Sequence, residues 1–193
     1  MIVVRTVESG EQAVAEGQLV CPHRGCGGTL QRWGYGRRRH VRGLGTQVIN
    51  VRPRRVRCGT CQTTHVLLPA SLQPHRADAT EVIGTALANK AAGMGHRRIA
   101  TALGRSPSTV RRWLRRGRDH AHLTRLWQCG AQQLIRLNAD AFNQLTAAGN
   151  PLRDALTMLA AAAWWTQRRL DINEPLWTLI GLHTGGRLLA APG

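Results

Sequence analysis

Four cysteines in two pairs, Cys21 with Cys26 and Cys58 with Cys61, constrain most what this chain can fold into. A stretch of about 60 residues with few large apolar side chains cannot stabilise itself by burial alone. Thiolates from two distant turns that meet on one ion supply what is missing. The first pair, Cys21-Pro22-His23-Arg24-Gly25-Cys26, has four residues between its cysteines, and the second, Cys58-Gly59-Thr60-Cys61, has two. Gly25, Gly27 and Gly59 fit knuckle turns that need positive φ. The expectation is a structural four-cysteine zinc site, with chance free thiols or a redox pair as the alternatives. His23 and His65 stand near the cysteines, as substitute ligands or as contacts behind them. A catalytic zinc needs an open coordination position and a general base, and this region has no carboxylate. Cys129 is left over and reads as a buried free thiol.

Between the pairs, apolar alternation and turn residues predict strands at Thr29–Tyr35, around Val41, at Thr46–Val51 and at Arg54–Arg57, and a further strand at Thr64–Leu68 leaves the second pair. Trp33 and Tyr35 are expected to cover this small core, with stacking on bases as the alternative. Ahead of it, residues 1–19 form an arm: a strand over Ile2–Val7, then a polar segment carrying Glu8, Glu11 and Glu16.

The charge is extreme and uneven. Net charge is +17, and all 27 basic residues except Lys90 are arginine. From Val20 to Ala77 there are eleven arginines and no acid. A solvated face usually mixes signs. An unbalanced one binds polyanions with strong salt dependence, and arginine's planar fork suits phosphate oxygens and guanine edges. Arg37, Arg38, Arg39, Arg54 and Arg55 are therefore candidate nucleic-acid contacts.

The next segment carries a second signature. Val82, Ile83, Ala86 and Leu87 mark a first helix over 78–92, ended by Gly93-Met94-Gly95. His96 to Leu103 is a short second helix closed by Gly104. Ser106 is a natural N-cap and Pro107 a natural first residue for a third. Ala100 supplies the small residue that two steeply crossed helices need, and Gly104 the positive φ of the turn. Ile99, Leu103, Val110 and Trp113 then face inward. Ser106, Ser108, Thr109, Arg111, Arg112 and Arg115 stay outside, where the N-terminal half of a recognition helix enters the major groove. Arg97, Arg98, Arg105 and Arg116 suit phosphate contact.

These stretches (Cys21-Pro22, Arg32-Trp33-Gly34, Val41-Arg42-Gly43-Leu44, Arg54 to Cys61, His65 to Pro69 and the helical pair) resemble the amino-terminal zinc-ribbon plus helix-turn-helix segment of bacterial insertion-sequence transposases and their stand-alone relatives, a type familiar from actinobacteria. The resemblance covers about half the chain, residues 20–118. It implies recognition of the ends of a mobile element, with the four cysteines as zinc ligands and residues 106–116 as the recognition helix.

The last third carries less charge. One long helix is expected over 119–148, a second from Pro151 to Leu170, and a third opened by Pro175 and stopped by Gly185-Gly186. The fold class expected is mainly α with a small β zinc ribbon. Its parts are an arm (1–19), an N-terminal four-cysteine zinc ribbon (20–77), a central three-helix helix-turn-helix (78–118) and a C-terminal helical bundle (119–193). That bundle either closes its own core or leaves a face for a homodimer or a separate transposase or integrase subunit. The acids after residue 120, Asp140, Asp154, Asp171 and Glu174, lie on predicted helices or a loop. They do not sit on the sheet that a two-metal strand-transfer site requires, so a non-catalytic protein is expected. No apolar run reaches the ~20 residues of a membrane span, and no basic-then-apolar leader is visible. A cytoplasmic, nucleoid-associated protein bound to double-stranded DNA is the expectation. A stand-alone transcriptional regulator and an RNA-binding component are the alternatives.

Overall fold

The structure, a computed structural model, describes residues 1–190 of 193. The last three residues of the predicted 119–193 region lie outside the described residues. In chain order the elements are β1 (Ile2–Val4), α1 (Val7–Ala15), β2 (Leu30–Tyr35), β3 (Arg39–Arg42), β4 (Val48–Val51), β5 (Arg54–Cys58) and β6 (Thr64–Pro69). The helices α2 (Thr80–Ala91), α3 (His96–Leu103), α4 (Pro107–Arg116), α5 (His120–Leu137), α6 (Ala139–Gln144), α7 (Pro151–Leu170) and α8 (Leu176–His183) follow. The chain is thus mainly helical, with a small mixed sheet.

The sheet has the order β1-β6-β5-β2. β2, β5 and β6 are antiparallel, and β1 joins β6 in parallel. The register places Leu30 opposite Cys58. Cys21, Leu30, Val56, Cys58 and Leu67 form a small buried core with Val4 and Val14. β3 and β4 do not join this sheet. They form a separate hairpin whose Val41 is buried in the helical core, with Ile49 and Val51 packed against it.

Two expectations about elements are corrected. The polar segment of the arm is a helix: Thr6 caps α1 by accepting from Ser9 N–H, and the Ser9 hydroxyl accepts from Thr6 N–H in return. Gly10 lets this helix lie close, since a Cβ there would meet Val4 Cγ1 at 2.9 Å. The predicted helix over 119–148 breaks at Asn138. This residue is extended (φ −161°, ψ 99°), and its side chain accepts from Ala141 N–H to start α6. A short polar side chain competes with the helical ladder in this way.

The main core runs from α2, α3 and α4 through α5, α7 and α8 to Leu188 and Leu189. It does not divide at residue 118. Gly84 sits against Trp177 and Gly181 against Ala70, so close that a Cβ at either would clash. These contacts bind α8 to α2 and to the chain leaving β6. No helix among the described residues is long and apolar enough to cross a membrane.

Candidate metal centre and nucleic-acid interface

The β5–β6 turn and the loop before β2 bring the four cysteines together. Their sulfurs all lie within 4.8 Å of one another. Cys21 Sγ is 3.6 Å from Cys61 Sγ, and Cys26 Sγ is 3.6 Å from Cys58 Sγ. Four sulfurs held tetrahedrally at about 2.3 Å from one ion stand about 3.8 Å apart. The cluster can therefore hold a metal ion, and none of its cysteines is in a disulfide. Gly25 and Gly27 take positive φ as the first knuckle requires, but in the second the positive φ falls on Gln62 (61°), not on Gly59.

The surroundings prepare the thiolates unequally. Backbone N–H groups of Thr60 and Cys61 donate to Cys58 Sγ, each at 3.4 Å, and the Cys61 N–H is the main influence holding the Cys58 thiol below its ordinary range. Hydrogen bonds from the Thr63 side chain and backbone draw Cys61 down to about 6. Burial pushes Cys21 up to about 12. His65 is buried with Nε2 3.3 Å from Cys21 Sγ, so it supports a cysteine from behind. His23 is exposed, and its carbonyl accepts from Cys26 N–H.

α3 and α4 are joined by the turn at Gly104. Gly104 is left-handed (φ 61°, ψ 38°) between α3 and α4. Ile99, Ala100, Val110 and Trp113 are buried. Arg97, Arg98, Ser108, Arg111, Arg112 and Arg115 are exposed, and Thr109 and Arg116 half-buried. Ser106 is spent on its own helix: its hydroxyl accepts from Thr109 N–H at 3.3 Å and lies 2.9 Å from Thr109 Oγ1.

Two predicted contacts with nucleic acid are corrected. The Arg105 side chain is only 6% exposed, and its Nε lies 2.6 Å from Asp78 Oδ1. The same guanidinium donates to the carbonyls of Leu103 (2.9 Å), Gly104 (3.2 Å) and Gly43 (2.7 Å). It is an internal strut, because the buried carboxylate of Asp78 needs a counter-charge. Arg54 is likewise held inside, 2.7 Å from Glu11 Oε1 and 4.2 Å from the Tyr35 ring centre. Arg37 and Arg38 are exposed, Arg39 and Arg55 half-buried.

Trp33 and Tyr35 do not cover the core as expected. They are 51% and 46% exposed on β2. Arg57 lies over Trp33 at 4.4 Å, and Arg52 over Tyr35 at 4.8 Å. Outward strand positions place them there, while Leu30 at the start of the strand fills the core.

Sequence reasoning missed Asp78. It is buried and also accepts from Arg42 Nη2 at 2.8 Å. The available signal was its place as the first carboxylate after the acid-free run. The pairing of His40 with Asn50 across the hairpin had no sequence signal, because it depends on register.

Residues 21–113 match a family model described as a domain of unknown function (DUF6431). That span runs from the first cysteine to Trp113 of α4, so it takes in the cysteine cluster, the hairpin and the helical pair. No curated protein and no solved structure matches the chain.

Proposed function

We propose that the chain is a non-catalytic, sequence-specific double-stranded DNA-binding protein of the transposase-associated type. In this reading a structural zinc ion is held by Cys21, Cys26, Cys58 and Cys61 in a zinc ribbon, and α2–α4 form a helix-turn-helix with α4 in the major groove. The observation that carries it is the outer face of α4. Ser108, Arg111, Arg112 and Arg115 are exposed on a helix fixed by a left-handed glycine and a serine cap. Arg111 and Arg112 are the candidate readers of guanine edges, and Arg97 and Arg98 the candidate phosphate contacts. The exposed Trp164, Leu170 and Leu176 of α7 and α8 support a homodimer or a separate enzyme subunit as the second partner.

Selection of bound duplexes from a random library by the zinc-loaded protein tests this directly. A discrete motif is expected. Its location at element ends or at promoters separates a mobile-element protein from a stand-alone regulator, and tight binding with no motif rejects sequence recognition. The exposed Trp33 and Tyr35, each with an arginine over its ring, favour one second reading, the stacking of single-stranded RNA. Competition by single-stranded RNA that outruns duplex DNA would select it.

A further inference from the structure

The β3–β4 hairpin belongs by sequence to the cysteine segment but packs on the helical core. Its inner face is spent on Val41, Ile49 and Val51, which leaves an outward polar face. At the open end, away from the Gly43–Gln47 turn, Arg38, Arg39, His40, Asn50, Val51 and Arg52 line a cleft of about 370 Å³. We propose that this cleft binds a backbone phosphate of DNA beside the helix in the groove. The inference rests on the duplex-binding reading above.

The hydrogen-bonding inventory points to phosphate over a base edge. His40 Nδ1–H donates to Asn50 Oδ1 at 2.6 Å, so the amide oxygen is occupied and its NH2 group is left to donate. Arg39 holds the chain by donating from Nη2 to the Arg76 carbonyl at 2.5 Å. Arg38 and Arg52 are exposed. The lining side chains include no carboxylate, and three of the six are arginines, which only donate. A site of donors fits a group that only accepts, and phosphate oxygens are such a group. Base edges in the major groove mix donors and acceptors.

The hairpin is also tied to the segment before α2 and to the α3–α4 turn. Arg42 N–H donates to the Ala77 carbonyl, and Ala79 N–H donates to the Arg42 carbonyl. Arg105, the residue before the α4 cap, donates to the Gly43 carbonyl. From Gly43 to the cleft is three to four residues of strand, roughly 10–13 Å at 3.3 Å per residue. That is the scale of the roughly 12 Å major groove. The cleft is thus held at a fixed distance along the hairpin from the anchor before α4, and a phosphate gripped there would set the register of the helix in the groove.

The experiment compares wild type, Arg38→Ala/Arg52→Ala, Asn50→Ala and Arg111→Ala, all zinc-loaded, on selected and random duplexes across a salt series. For the double variant, affinity for both duplexes should fall by the same factor. Its slope of log affinity on log salt should drop by about 0.9 for each phosphate it no longer neutralises, and the selected motif should be unchanged. An unchanged slope overturns the proposal. So does a motif altered by Asn50→Ala or by the double variant, which would mean base reading. The His40 ring resonances should also shift on adding pyrophosphate in wild type and not in the double variant. If wild type fails to bind duplex at all, the duplex reading falls, and the pyrophosphate response alone then decides whether the cleft takes phosphate.

Discussion

Asp78 gives the sharpest test of how the β3–β4 hairpin is joined to the helices. Its carboxylate is buried between Arg42 at 2.8 Å and Arg105 at 2.6 Å. The partners differ in environment: the Arg42 side chain is 52% exposed and the Arg105 side chain 6%. A half-exposed pair contributes about 0.2–1 kcal/mol, so Arg42→Ala should cost less than about 1 kcal/mol. Removing one member of a buried pair leaves an uncompensated charge and costs about 3–5 kcal/mol. Asp78→Ala should therefore destabilise by about that much, against a total stability of about 5–15 kcal/mol for a domain. Asp78→Ala/Arg105→Met removes both charges and should recover about 2 kcal/mol or more of the summed single losses, because an apolar replacement of a buried pair is often neutral. Urea unfolding of the metal-loaded protein, followed by tryptophan fluorescence and circular dichroism with coincident transitions, measures these values. An Asp78→Ala loss under about 1 kcal/mol, or single losses that add within about 0.5 kcal/mol in the double variant, would refute the strut.

Three further outcomes are expected. Arg111→Ala should cost about 1–3 kcal/mol on the selected duplex and relax preference at one position; equal losses on selected and random DNA would remove it from base reading. Cys58→Ser should abolish stoichiometric metal binding and unfold the strands around the small core, while far-ultraviolet helical signal persists because the helices share a separate core; loss of the helical signal would refute that independence. Burial holds His122 and His183 below the ordinary imidazole range. The unfolded chain therefore binds more protons, and stability should be complete above about pH 6.5 and fall as pH drops below it. His183→Gln should flatten the dependence of melting temperature on pH over the acid side of about pH 6.5, and an unchanged profile would clear His183 of this role.

Much of the molecule was legible in the sequence because it is set by local chemistry. The knuckle cysteines, the strands between them and the bounds of α3, α4 and α7 follow from spacing, alternation, Gly104, Ser106 and Pro151. Where competition between local preferences was close, the reading failed. Asn138 halts α5 because its side chain offers the backbone another partner, and Thr6 with Ser9 starts α1 in a segment with weak apolar periodicity. The arginines were legible as charge but not as roles. Arg54, Arg105 and Arg111 look alike in one dimension, yet the first two are held by Glu11 and Asp78 while Arg111 stays exposed.

The sequence by itself determined that four thiols can meet on one ion and that an excess of arginine surrounds a capped helical pair, because both depend on residue type and short-range spacing. Only the tertiary structure decided that the hairpin leaves the sheet to pack on the helices, that Asp78 ties it to the α3–α4 turn, and that His40, Asn50, Arg38 and Arg52 share one cleft. Those arrangements come from strand register and from burying Val41, and neither is encoded in any short stretch of the chain.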